Sequence, residues 1–159
     1  MAELALALTV VVCGLWSGLL LMLTNVLHPM YRPLDGRGFA EQMRLFLPVA
    51  RKAPANYAAV IGMIVFPVWA LIALHDRVGG TPFVLTAIGL GLVIAGPLLV
   101  SNRLAEPNYD TILAWDPAAV PAGWERTRAR YFALNWIRAV ITWAAFVLFL
   151  LALIAEASR

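Results

Sequence analysis

Four stretches of this chain carry no charged side chain at all: residues 4–27, 53–74, 78–102 and 139–155. A helix needs about 20 apolar residues to cross the roughly 30 Å of a bilayer's hydrocarbon core. The first three runs meet that length outright. The fourth has 17 residues and meets it if it extends back through 131–137, with the long side chain of Arg138 reaching up to the headgroups. The sequence therefore predicts four transmembrane helices, at about 4–27, 54–75, 81–103 and 131–155. Four crossings with short or helical connections make an all-α membrane protein, an antiparallel four-helix bundle.

Composition agrees. The chain has 159 residues, 62% hydrophobic and 13% charged, with mean hydropathy +0.82. Soluble domains carry about 25% charge, so an ordinary soluble globule is excluded, as is a disordered chain. Cys13 is the single cysteine, which excludes a disulfide scaffold. The length predicts one domain, 1–159. The first run reads as a span and not as a signal peptide, because Met-Ala-Glu-Leu lacks the basic residues of such a leader.

Basic residues set the orientation. Ten of the twelve Lys and Arg residues fall in or beside the two long loops, from Arg32 to Lys52 and from Arg103 to Arg138, leaving Arg77 and Arg159 for the other side. Loops 28–53 and 104–130 are predicted cytoplasmic and both termini outside, in the plasma (inner) membrane. This asymmetry accounts for the net charge of +3 without a nucleic-acid partner.

Inside a bilayer helices associate through small residues. Gly14 with Gly18, Ala58 with Gly62, and Ala87 with Gly91, with Gly96 beyond, are the candidate contact positions. Pro67 and Pro97 lie within spans, where each removes a backbone donor and bends the helix; the expectation is a role in helix shape.

The first long loop opens with His28-Pro29-Met30-Tyr31-Arg32-Pro33, whose two prolines predict a break. Asp35 is placed to cap a short amphipathic helix over 39–47, with Phe39, Met43 and Phe46 on one face, lying on the membrane or over the bundle mouth. In the second loop Pro107 predicts that the third span ends just before it, with a short helix starting there. From Trp124 a helical extension leads into the fourth span. Trp124, Thr127, Arg128, Tyr131, Asn135 and Arg138 share one of its faces, which is therefore expected to look inward.

Antiparallel connectivity brings His28, Asn102, Glu106, Asn135 and Arg138 to one end of the bundle, together with Tyr31, Trp115, Trp124 and Tyr131. Ionisable groups at that depth are functional candidates. Headgroup contact for His28, interface belts for the aromatics and a structural network for the polar set are the plainer readings. Two-histidine haem ligation within the chain is excluded, since His28 and His75 end opposite sides of the membrane. Zinc, copper and di-iron sites lack ligands, and no phosphate-binding glycine loop is present, so no cofactor or metal is expected.

The run 102–117 (Asn-Arg-Leu-Ala-Glu-Pro-Asn-Tyr-Asp-Thr-Ile-Leu-Ala-Trp-Asp-Pro), followed by Trp124, Arg130, Tyr131, Asn135 and Arg138, resembles the signature of the anthrone oxygenase-like family of small four-helix membrane proteins, most of unknown function. Pro29, Leu34-Asp35 and Phe39 are similar too, so the likeness covers nearly the whole chain. Tyr131 stands where the family usually has Trp, and Asn135 where His is common. The resemblance implies cofactor-independent oxygenation of a hydrophobic hydroxyaromatic, which needs a base, a dry aromatic slot and a positive charge. On that reading His28 is the base, and Arg138 with Asn102 and Asn135 steadies the anion. Trp115, Trp124 and Tyr131 form the slot, with Glu106 and Asn108 of the signature as further substrate-binding residues. The alternative is a non-enzymatic membrane protein that binds a lipid or quinone or serves as an accessory subunit. The expected partners are the lipid bilayer, a hydrophobic small molecule, and either a second copy of the chain or a larger membrane complex.

Overall fold

The computed structural model describes residues 1–159 and contains only helices and connecting turns. Four helices are long and apolar enough to cross a membrane: α1 (Ala2–Tyr31), α3 (Pro54–Ala73), α4 (Thr81–Leu113) and α5 (Trp124–Ala157). Between the first two lies α2 (Gly36–Lys52). The fold is the all-α bundle the charge-free runs predict. Helix α1 packs against α3 and α5, and α4 packs against the same two, so the four stand in a ring of simple up-and-down connectivity.

Large apolar side chains cover the lipid-facing surface, among them Leu15, Ile61, Ile72 and Val140. Small residues sit where helices meet. A Cβ on Gly89 would lie 2.6 Å from the Phe149 ring, and one on Gly96 would lie 2.6 Å from Cγ2 of Ile141, so these two glycines set the close approach of α4 to α5. Gly14 meets Phe146 and Gly62 meets Val12. The other two glycines expected at contacts, Gly18 and Gly91, face open space instead. The seven-residue step from Gly89 to Gly96 follows one face of α4, and Gly91 lies off that face.

Two expected helix ends are absent, for one reason. Helix α1 runs on through Pro29 by a π-turn at Leu23–Leu27, and α4 runs on through Pro97 and Pro107 by a π-helical stretch at Ile94–Ala105. A proline lacks an N–H and its ring strikes the carbonyl four residues back. A turn with i→i+5 bonding tolerates both defects, so the helix widens where a break was expected. The third span is thus longer than 81–103, and residues 106–113 continue it towards the loops.

Helix α2 carries the expected cap but starts at Gly36, three residues before the expected 39. The Asp35 side chain accepts a hydrogen bond from the Gly38 N–H (2.8 Å), satisfying one of the free amides of the first turn. Phe39, Ala40, Met43 and Leu47 form its buried face, and Phe46 is half-buried. The helix lies across the loop-side mouth of the bundle and extends to Lys52, beyond the expected end at 47. Its start is pinned against α5: Gly36 leaves no room for a side chain beside Trp124 and Val120. Arg128 of α5 donates to the Arg32 and Leu34 carbonyls (3.1 and 2.8 Å) and lies 4.4 Å over the Trp124 ring.

Candidate functional site

A cavity of about 390 Å³ opens under α2 at the loop-side end of the bundle. That size lies within the range of about 300–1,000 Å³ usual for small-molecule sites. Helix α1 supplies an apolar wall of Trp16, Leu20 and Leu23, and α2 covers it with Phe46 and Leu47. Asn56, Tyr57 and Val60 close it from α3. The opposite wall is polar: Ser101, Asn102, Glu106 and Tyr109 from α4, with Tyr131 and Arg138 from α5. Pro97 also lines it, so the widened stretch of α4 shapes the cavity as well as the helix.

The polar wall is ordered around Arg138. Its Nη1 donates to the Tyr109 hydroxyl (2.9 Å) and to Oδ1 of Asn135 (3.1 Å), and the Tyr109 hydroxyl donates to the same Oδ1 (3.1 Å). Both partner groups are neutral, and no carboxylate forms an ion pair with Arg138. Its Nε is buried without an acceptor, and so are the Ser101 and Tyr131 hydroxyls. The wall therefore carries a cation without an anionic partner, at a depth where unpaired charge is costly.

The carboxylate on the wall is committed elsewhere. Arg51, at the end of α2, binds Glu106 through both Nε (2.6 Å) and Nη2, and binds Asp110 at 2.8 Å. Burial pulls the Arg51 guanidinium down, but its bonds to Asp110 and Glu106 outweigh that and hold it above its ordinary value. The cluster ties α2 to α4 over the cavity.

The site residues expected from sequence divide into two groups. Asn102, Glu106, Tyr131 and Arg138 reach the cavity wall, and Asn135 supports Arg138 from behind it. The others stand apart. Asn108 donates to the Thr127 carbonyl (3.3 Å) and ties α4 to α5. Trp115 and Trp124 pack about Phe39 of α2, with ring centroids 6.4 and 6.2 Å away, and the Trp115 carbonyl accepts from Arg44. They hold the lid and line no slot. His28 is 2% exposed, between Tyr131 (5.6 Å) and Phe132 (4.5 Å), with no partner for either ring nitrogen. It sits behind Tyr131 and off the cavity wall. Depth along the bundle follows from topology, whereas the direction a side chain faces follows from helix rotation, and the π-turn of α1 ends immediately before His28.

Most of the wall was not foreseen, including the polar or aromatic residues Tyr109, Arg51, Ser101, Trp16, Asn56 and Tyr57. Tyr109 carries a signal, since 102, 106 and 109 are spaced i, i+4, i+7. Trp16 carries another, a tryptophan in the middle of a charge-free run and away from either interface. Nothing local marks Arg51 or Ser101. No three His, Cys, Asp or Glu side chains come together in a group able to hold a metal ion. No family model, curated protein or solved structure matches the chain.

Proposed function

We propose that the protein takes a hydrophobic hydroxyaromatic into this cavity and holds an ionised oxygen of it at Arg138. The observation that carries the reading is the guanidinium on the wall, whose hydrogen-bond partners are all neutral. A phenolate or enolate oxygen supplies the missing charge. The apolar wall of α1 and α2 takes the rings.

Binding of that kind favours oxygenation. An enolate is electron-rich at the ring carbon that reacts with dioxygen, and Arg138 favours the enolate over its conjugate acid. In the reaction the resemblance implies, a ring methylene loses both hydrogens and gains one oxygen atom as a carbonyl. The second oxygen atom of O₂ leaves as water with those two hydrogens. Binding without turnover is the second reading, favoured by the place of His28: the histidine at this end lies off the wall.

The test is oxygen uptake and equilibrium binding with 1,8-dihydroxyanthrone, for wild type, Arg138→Gln and His28→Ala in nanodiscs. Uptake above that of empty nanodiscs, lost in Arg138→Gln, supports the oxygenase. Binding without uptake supports the carrier or accessory reading. Absence of both sinks the proposal. We further place the protein in the plasma membrane with loops 28–53 and 104–130 in the cytoplasm, on the strength of the basic residues flanking that end. A reporter that is active only outside the cell should be active when fused after Arg159 and silent when fused after Lys52.

A further inference from the structure

The cavity is shut from above. Phe39 is seated between Trp115 and Trp124, Arg44 donates to the Trp115 carbonyl, and Arg51 binds Glu106 and Asp110. Helix α2 is thus fastened over the loop-side mouth near its start, its middle and its end. Lifting it would uncover Phe39, Met43 and Leu47, all buried, against the hydrophobic effect.

The flank between α3 and α4 differs. These two helices pack together along Thr81–Val93 and touch little along Ile94–Ala105, whereas α5 keeps to α4 over both stretches. The parting begins where α4 widens around Pro97, and wide turns and prolines are common causes of a bend. Wall residues on each side of the gap are open to the outside. Tyr57 of α3 is 59% exposed and Asn102 of α4 is exposed, while Val60 and Leu98, one turn deeper, are half-buried.

The depth of the gap fixes what it faces. Tyr57, Val60, Leu98 and Asn102 lie within charge-free runs, and Arg51, Lys52, Arg103 and Glu106 stand just beyond those runs. The gap therefore opens at the border of hydrocarbon and headgroups. An apolar molecule with one polar end collects at that border and meets the opening at its own depth, without crossing water.

We infer that the cavity takes up and returns its ligand through a lateral portal between α3 and α4, open to the loop-side leaflet, with α2 as a fixed roof. This rests on the binding reading above for the molecule that passes, and adds its source, an amphiphile dissolved in the bilayer. Val60 and Leu98 set the width of the opening.

One arm of the test uses 1,8-dihydroxyanthrone in nanodiscs without oxygen, so that it is not consumed. Val60→Trp narrows the portal from α3 and Leu98→Trp from α4. In stopped-flow measurements each is expected to slow association and dissociation together by about tenfold and to keep Kd within about threefold, because an obstruction on the path raises the barrier in both directions. Arg44→Ala loosens the roof and is expected to leave both rates within about twofold of wild type. Unslowed association in both portal variants, or faster association in Arg44→Ala, overturns the portal.

The other arm needs no ligand. Phe46 lines the cavity from the roof, and Phe46→Cys puts a thiol there, with Cys13→Ala removing the buried native one. N-Dodecylmaleimide carried in the nanodisc lipid is expected to react with that thiol, about tenfold more slowly when Leu98→Trp is added and at the same rate when Arg44→Ala is added. A thiol that reacts only with a charged methanethiosulfonate from the water, or a maleimide reaction indifferent to Leu98→Trp, overturns the portal. Failure of the anthrone to bind wild type overturns the Arg138 reading alone and leaves the portal to be decided by the thiol.

Discussion

A methyl group at Gly96 should loosen the bundle more than the same methyl at Gly91, two positions on one helix and five residues apart. At Gly96 the added carbon would lie 2.6 Å from Cγ2 of Ile141 and 2.9 Å from its Cβ. A Cβ cannot swing aside, because it is fixed to the α5 backbone, so the two helices must part. Overpacking of this kind costs roughly 1–3 kcal/mol. At Gly91 nothing lies within 4 Å, and alanine there gains helix propensity of up to about 1 kcal/mol. The expected gap between Gly96→Ala and Gly91→Ala is therefore about 1–4 kcal/mol. Reversible unfolding in mixed dodecyl maltoside and SDS micelles measures it. Gly89→Ala should fall between them, since the ring of Phe149 that it meets can turn. If Gly96→Ala proves as stable as Gly91→Ala, the α4–α5 contact drawn here is wrong. Gly96 also precedes Pro97 on the cavity wall, so the destabilised variant should bind 1,8-dihydroxyanthrone more weakly.

Three other outcomes are expected. Tyr109→Phe removes the hydroxyl between Arg138 and Asn135 and should cost about 1–3 kcal/mol in the same unfolding assay; no change would mean that the triad does not order the wall. Asp35→Ala removes the cap of α2 and should cost about 1 kcal/mol, seen as faster amide exchange at the start of that helix and unaltered exchange in α5. Arg51→Ala unties α2 from Glu106 and Asp110. Because these side chains are 31–65% exposed, global stability should fall by less than about 1 kcal/mol; proteolysis near Lys52 should nonetheless quicken, and added salt should produce the same effect in wild type.

The spans were legible because membrane insertion is decided over tens of residues, by charge that is simply missing from four runs. The inward face of α5 was legible as well: Tyr131 and Asn135 are buried on it and Arg138 half-buried. So was the cap at Asp35, a signal contained within four residues. What stayed hidden depends on how helices turn against one another. Pro29 and Pro107 read as breaks because a π-turn has no local sequence mark. His28 could be placed at the correct end and still face away from the cavity. Arg51 finds Glu106 across 55 residues of chain, a pairing that no periodicity encodes. The slot was assigned to Trp115 and Trp124 because they are the large aromatics of the loops, yet their rings serve to seat α2, and a tryptophan deep in α1 lines the cavity.

The widened stretch of α4 has a bearing on how such a pocket could arise or vanish. A run of i→i+5 turns holds more residues than an α-helix of the same length, so it behaves as an insertion absorbed without a loop. Deletion of one residue within Ile94–Ala105 would let one wide turn tighten to an α-turn, and the residues beyond it would keep nearly the same face. Glu106 and Tyr109 would then stay with Arg51 and Arg138, and the change would fall on the widened stretch itself, where Pro97, Ser101 and Asn102 line the cavity. A single codon gained or lost thus reshapes one wall of the cavity without disturbing the rest, a far shorter evolutionary step than reshaping it by substitution.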